Sequence, residues 1–424
     1  MARELHRRPG MKLFLLAVLT AAASLAQADV RDDATALNVN SRYTVESVDL
    51  PPDSGSRLSG AITEEIHKLV GERFNPDSVN RLSQRITEEL RARSVTFRVV
   101  RGASPAHVRI TFEVERRDSD FDVSLSGLTY NSREGWTGTG QATWTLGDNV
   151  VTAAGLSNGD DQVERYSGLR TRFDRMRVGT NRIRLGVEFD MFREQYDGRT
   201  SSLGAGAYRS RTNVEPSATF VLAKPLTLSL GMSFENLQPN AAALATSANA
   251  VVSSLRYHER WEGADSNSRD VDGAYRLRAA TIGLGSNVPY TKHTANVRYQ
   301  WRKLHQLAEV TLMAGMIHGE APLFERFVLG TNTTLRGWSK YDLNPLGGNR
   351  MRYASVTYGY HIMRVFYDTG SVWDHGKSAE ERHSAGVGVT TGMGLFSKNA
   401  LLVALAFPIR RGHVEPMVVA GMNF

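Results

Sequence analysis

From Phe121 to Phe424 apolar residues recur at every second position, and this alternation constrains the fold more than any other feature of the chain. In Arg182–Met191, Ile183, Leu185, Val187, Phe189 and Met191 fall on one face, and Arg182, Arg184, Gly186, Glu188 and Asp190 on the other. That is the pleat of a β-strand. Leu226, Leu228, Leu230, Met232 and Phe234 alternate in the same way, as do Ala295, Val297, Tyr299 and Trp301. A soluble sandwich also alternates, but its apolar face meets a second sheet. Long strands with charge on one face, and aromatics toward the ends of the other, fit a membrane barrel better, apolar to lipid and polar to the lumen. Backbone groups left unpaired in hydrocarbon are costly, so such a sheet must close.

Sixteen strand-like segments can be counted, centred from Ser124 through Ala280 to Val419. Over the 304 residues of 121–424 that is 19 per strand plus connection, enough for the roughly 9–11 residues a tilted strand needs to cross a bilayer. Connections alternate in length: Gly147–Asn149, Ala223–Pro225 and Lys303–His305 are tight, whereas 238–250, 319–349 and 374–383 are long. The stretch 262–273 reads as a long connection on the short side and breaks the pattern.

The chain begins with a second constraint. Basic residues up to Lys12 precede the apolar run Leu13–Leu19, the small residues Thr20–Ala23 and an Ala26-Gln27-Ala28 cleavage signal. Residues 1–28 therefore read as a signal peptide and 29–40 as a linker. Arg3, Arg7, Arg8 and Lys12 against Glu4 account for +3 of the net +7, so the remainder carries +4, too little to argue for nucleic acid. There is no Cys, which suits an oxidising compartment and excludes thiol chemistry and Cys-based metal sites.

Residues 41–117 read as one small mixed domain. Tyr43–Leu50 is a strand that ends at Pro51-Pro52. Leu58, Ala61, Ile62, Ile66, Leu69 and Val70 form a helical stripe closed by Gly71. A second helix opens at Asn75-Pro76 with the stripe Val79, Leu82, Ile86 and Leu90. The strands Val95–Arg101 and His107–Glu115 complete a β-α-α-β-β order. Such a unit either offers a sheet edge to an extended peptide or serves only as a spacer.

The most specific residues lie late in the chain. Phe327-Val328-Leu329-Gly330, Leu335-Arg336-Gly337-Trp338 and Pro345-Leu346-Gly347-Gly348 share one long connection. Phe366-Tyr367-Asp368-Thr369-Gly370 follows a strand later, and the chain ends Met422-Asn423-Phe424. Together these resemble the conserved pieces of the outer-membrane protein 85 (surface-antigen) superfamily: a Val-Arg-Gly-Tyr/Phe loop tetrad, a Gly-rich segment and a Phe-x-Asp-x-Gly strand. Leu335 and Trp338 depart from the tetrad but keep its shape. The resemblance covers nearly the whole mature chain. It implies a mainly β fold, a 16-stranded antiparallel transmembrane β-barrel after a single POTRA domain, in the bacterial outer membrane with the POTRA domain in the periplasm. It also implies that loop 319–349 folds into the barrel and docks Arg336 on Asp368. Strand parity agrees, because Arg364, Phe366, Asp368 and Gly370 share one face. Arg336, Gly337, Trp338, Asp368 and Gly370 are thus the expected loop lock, taking part in transport or serving as a passive clamp. In Glu415–Phe424, parity puts Val418, Ala420, Met422 and Phe424 on the lipid face. The resemblance adds that Met422 and Phe424 belong to an assembly signal.

No cofactor, metal site or enzymatic constellation is expected. Gly155–Gly159 matches G-x-S-x-G but has no strand-elbow-helix context. Gly386, Gly388, Gly392 and Gly394 lack the helix a dinucleotide loop requires, and glycine in a barrel strand more often relieves crowding against a plug. The eleven His show no helical H-x-x-x-H spacing. The expected role is an outer-membrane polypeptide insertase or translocase of the BamA/TamA type. Its partners would be outer-membrane lipid, unfolded client polypeptides, and periplasmic chaperones or accessory proteins. The alternatives are a two-partner secretion transporter and a passive pore or structural surface barrel. Two-partner transporters carry an N-terminal plug helix, for which 29–40 is short.

Overall fold

A computed structural model describes residues 42–51, 58–90, 92, 94–115, 119–195, 199, 207–241, 244–262, 267–392, 400–412 and 414–422. The leader, the linker and Phe424 lie outside these residues. The chain divides into two compact units, Met1–Arg116 and Arg117–Phe424.

In the first unit, β1 (Thr44–Asp49), α1 (Gly60–Leu69), α2 (Pro76–Leu90), β2 (Ser94–Arg101) and β3 (His107–Glu115) follow in that order. Ser59 caps α1 through its hydroxyl, which accepts from the Ile62 amide. Gly71 takes φ +89° just beyond the helix, a conformation that favours glycine. Asn75 accepts from Asp77 N at 2.9 Å and so caps α2 ahead of Pro76. The sheet order is β1-β3-β2, with β1 parallel and β2 antiparallel to β3. Ile62 and Ile66 of α1 and Val79, Leu82 and Ile86 of α2 bury against Val45, Val95, Ile110 and Phe112 of the sheet. Val70, the last member of the expected stripe, is exposed because α1 has already ended there.

The second unit is one closed ring of sixteen antiparallel strands. It begins with β4 (Ser119–Asn131), β5 (Gly135–Leu146), β6 (Asn149–Gly159), β7 (Arg165–Arg175) and β8 (Ile183–Gln195). Next come β9 (Tyr208–Ala223), β10 (Leu226–Pro239), β11 (Ala250–Glu262), β12 (Asn267–Ala280), β13 (Tyr290–Lys303) and β14 (Gln306–Gly319). It ends with β15 (Arg350–Tyr360), β16 (Met363–Trp373), β17 (Arg382–Gly392), β18 (Ala400–Ile409) and β19 (Met417–Met422). The outside is apolar: Leu185, Val187, Phe189 and Met191 of β8 and Leu230, Met232 and Phe234 of β10 are all exposed. The opposite parity lines the lumen with paired charge, including Arg170–Asp190 at 2.7 Å and Arg276–Glu215 at 3.0 Å. Gly155–Gly159 lies within β6, and so has no elbow.

One connection differs from the sequence expectation. β11 runs through Glu262 and β12 begins at Asn267, so only 263–266 separate them. Asp270 and Asp272 suggest a loop, but they sit on the lumen face, where Arg256 pairs with Asp272 at 2.6 Å. The centre expected at Ala280 is consequently the last residue of its strand.

The ring is uneven. β4 pairs with β5 along nearly its whole length. With β19 it shares four rungs among the described residues, Val419↔Asn131 to Met422↔Leu128, and the Ser132 amide adds a bond to the Val418 carbonyl at 2.9 Å. Residues 119–127 of β4 have no rung to β19 among the described residues. Met422 keeps the parity of Val418 and Ala420 but, unlike exposed Val418, is buried. Its cross-strand neighbours, Leu401 on one side and Leu128 on the other, explain the burial.

Because each unit has its own core, damage should stay local. Ile86→Ala is expected to destabilise the N-terminal unit by about 2–5 kcal/mol. Hydrogen exchange on the full chain should show this in residues 58–115, with barrel amides unchanged.

Candidate functional site

The connection between β14 and β15, residues 320–349, lies inside the ring. Phe324, Phe327, Leu329, Leu335 and Trp338 are buried in a cluster with Tyr208, Tyr290, Ile317 and Tyr353 of the wall. The loop contains a short helix, α3 (Lys340–Leu343), capped by the Ser339 hydroxyl, which accepts from Tyr341 N.

At its tip, Leu335 adopts φ +47° and Gly337 φ +97°. A left-handed leucine is strained. It is held there with no exposed surface, and the turn it makes aims Arg336 at the wall. Arg336 Nε donates to Asp368 Oδ2 at 2.9 Å, and Nη2 donates to Oδ1 at 2.7 Å. This is a bidentate fork of the kind guanidinium geometry favours. The Arg336 amide adds a third bond to Oδ2 at 3.0 Å. Ser355, the cross-strand partner of Asp368, donates to Oδ1 at 2.7 Å and accepts from Arg336 Nη2 at 3.0 Å. The guanidinium also stacks 3.6 Å from the Phe366 ring centre, a cation–π contact. Burial disfavours the charge on Arg336, but bonding to Asp368 outweighs it and holds the guanidinium protonated more firmly than usual.

Each member of the Phe-x-Asp-x-Gly strand therefore has its own task. Phe366 carries the guanidinium face, Asp368 accepts the fork, and Gly370 leaves room for the loop: a Cβ there would stand 2.9 Å from Leu329 Cδ1. Gly386 has a related role, since a Cβ on it would overlap the Phe366 ring. Gly337 brings the loop backbone against β18, where a Cβ would come within 3.2 Å of Pro408 N. Trp338 Nε1 donates to the His383 carbonyl of β17 at 2.8 Å, and Arg382 lies over its ring. The structure thus brings together Arg336, Gly337, Trp338, Asp368 and Gly370. Met422 is on the seam, and Phe424 lies outside the described residues.

Sequence reasoning missed two further anchors. Near the start of the loop, Glu325 sits among Lys292 at 2.9 Å, Arg278 at 3.1 Å and the Tyr290 hydroxyl, which donates at 3.0 Å. Burial alone would raise its pKa, but Lys292 and Arg278 hold the carboxyl well below the ordinary range. Beyond the tip, Lys340 Nζ donates to the carbonyls of Gln162 at 2.6 Å and Asp160 at 3.3 Å. Burial pulls this amine down to about 8 and pushes the Asp160 carboxyl up. Lumen-facing Arg278 and Lys292 on adjacent strands were the only sequence signal for the first anchor; nothing local marked the second.

The Omp85 superfamily domain matches residues 107–409. Among solved structures, BamA from Haemophilus ducreyi lacking POTRA domains 1–3 is similar, at TM-score 0.59 and 15% identity, over 90% of this chain and 85% of that one. CdiB from Escherichia coli is similar at TM-score 0.53 and 11% identity, over 91% and 77%. CdiB from Acinetobacter baumannii is similar at 0.54 and 11%, over 90% and 74%. No curated protein matches the chain.

Arg336→Ala leaves Asp368 fully buried without its counter-charge, which should cost about 3–5 kcal/mol. The expected readouts are a lower unfolding midpoint and new protease cleavage within 320–349. Arg336→Lys should recover only part of this, because an ammonium cannot reproduce the planar fork. For Lys340, the docked value near 8 lies below the ordinary 10.5. Between those values the undocked loop binds more protons, so docking should strengthen as pH rises from about 8 toward 10.5. A thermal midpoint that rises across this window, and loses that rise in Lys340→Met, is the check.

Proposed function

Since the chain belongs to the Omp85 superfamily, we propose that it passes unfolded polypeptides into or across the bacterial outer membrane, with its N-terminal unit acting as a single periplasmic POTRA domain. The observation that carries this reading is the uneven ring. Among the described residues fifteen strand junctions share six to fourteen rungs, whereas the sixteenth shares four and one further backbone bond, from Ser132 N to the Val418 carbonyl. An incoming strand can satisfy its backbone there by pairing with β4, and burial of its apolar face in lipid then drives insertion. No covalent step, metal or cofactor is needed.

Insertion into the membrane fits better than secretion through the axis. The loop packs into the lumen at three anchors, whereas the weakest point is in the wall. The docked loop likewise argues against a passive pore. Partners under this reading are outer-membrane lipid, client polypeptides and periplasmic accessory proteins.

The chain has no Cys, so Tyr130→Cys with Ala420→Cys, which replaces directly paired residues, would give a single disulfide across the seam. Strand-pair geometry is within reach of such a bond. The oxidised barrel is expected to remain folded while outer-membrane β-proteins fail to accumulate in cells, with recovery on reduction. Normal accumulation with the seam fully cross-linked would rule the reading out. Loss of one secreted polypeptide alone would instead favour a secretion transporter.

A further inference from the structure

The loop reaches the seam from inside. Asn332, six residues before Trp338 and fully buried, does not face the β15–β16 wall that holds Arg336. Its Nδ2 donates to Thr129 Oγ1 of β4 and Thr137 Oγ1 of β5, both at 3.0 Å. Its Oδ1 accepts from Asn131 Nδ2 of β4, and its amide donates to Asp160 Oδ2 at 2.7 Å. Both N–H donors of the carboxamide and one of the two lone pairs on its oxygen are thus engaged. Asn131 in turn accepts from the amides of Arg133 and Glu134 at 2.9 and 2.7 Å, which fixes the turn after β4.

Thr129 and Asn131 are the two lumen-facing residues among the four that β4 contributes to the seam. On the other flank, Arg336 holds β15 and β16, Trp338 holds β17, and Gly337 lies against β18. The segment 332–338 therefore grips β4 and β5 on one side of the β19–β4 junction and β15 to β18 on the other. A second tie runs parallel to it: Arg133, in the turn after β4, pairs with Asp342 of the loop at 3.0 Å and donates to the Glu415 carbonyl, just before β19, at 3.4 Å.

We infer that Asn332 is a positioning residue that makes the loop tip a staple across the seam, so that β4 separates from β19 only when the tip lets go of one flank. Without the staple the junction would rest on the four described rungs, the Ser132–Val418 bonds and the Arg133 tie. Separating the flanks with the tip in place breaks either the carboxamide's bonds or the Arg336 fork, and both are buried polar networks whose unpaired groups are costly. The consequence is coupling: either end of the staple suffices to release the seam, so the second break adds little. This holds whatever crosses the junction and does not depend on the function proposed above.

Hydrogen exchange of the full-length protein in lipid vesicles, read on peptides covering 128–132 and 417–422, tests it. Asn332→Ala is expected to speed seam exchange about tenfold, the scale of one or two net buried hydrogen bonds. Arg336→Ala should do the same, and the double variant should exceed neither single variant by more than about twofold, the non-additivity expected of residues acting as one unit. Amides of β9 and β10 report global loosening and should not change in Asn332→Ala. Thr129→Val removes one contact from the barrel side with the loop untouched. It should produce a smaller rise in the same peptides, and it keeps the test valid if the loop variants fail to assemble. Wild-type seam exchange in Asn332→Ala and Thr129→Val, multiplicative effects in the double variant, or a rise shared equally by β9 and β10 would each overturn the staple.

Discussion

The structure depends on one requirement, that every backbone N–H and C=O of a sheet set in hydrocarbon find a partner within the protein. An open sheet of these strands would present two unpaired edges to lipid, so the sixteen strands close. Closure fixes the pleat, which sends Leu185, Val187 and Phe189 outward and Asp190, Glu215 and Glu235 inward. It also leaves a lumen lined with charge. Arginines facing carboxylates across neighbouring strands balance most of that charge, and the wall can therefore carry so many ionisable groups without collapsing or swelling.

Filling that lumen with a loop raises a second problem, since an irregular segment brings its own unpaired backbone and polar side chains. The chain solves it with buried anchors of different chemistry. Glu325 among Lys292 and Arg278 is a charge cluster, Arg336 on Asp368 a directional fork, and Asn332 a neutral carboxamide. The fork gives geometric specificity, because planar bidentate bonding tolerates little rotation. Buried ion pairs are weak evidence for added stability, since desolvation offsets much of the attraction. Their contribution here is to select one docked arrangement of the loop.

Much of this architecture was legible in the sequence because period-two patterning is a direct imprint of a two-sided environment. β8 and β10 read cleanly, as did the two helices, around Ile62 and Ile66 and around Val79, Leu82 and Ile86. β12 was misplaced because lumen-facing Asp270 and Asp272 look like loop residues unless the opposing Arg256 is known. Parity placed Asp368 inward and the motif resemblance supplied its partner, but Ser355 was invisible, being an ordinary strand serine until its cross-strand register is fixed. Asn332 was hidden for a different reason. Its meaning lies in contacts roughly two hundred positions away in sequence, at Thr129 and Asn131, and no local pattern encodes those.

The contrast between the two faces of the seam explains why a weak junction can persist in a membrane protein at all. Toward lipid, the four rungs carry the side chains of Ala420, Tyr130, Met422 and Leu128. Toward the lumen, Thr129 and Asn131 are enclosed by a loop that also bonds to β15, β16 and β17 beyond β19. Strengthening the junction through more β4–β19 rungs would make it as permanent as its neighbours. Strengthening it through the loop keeps it closed by contacts that can all be withdrawn together, since they belong to one short segment. A barrel whose wall must stay sealed at rest and yet part on demand gains more from a removable internal clasp than from a longer strand.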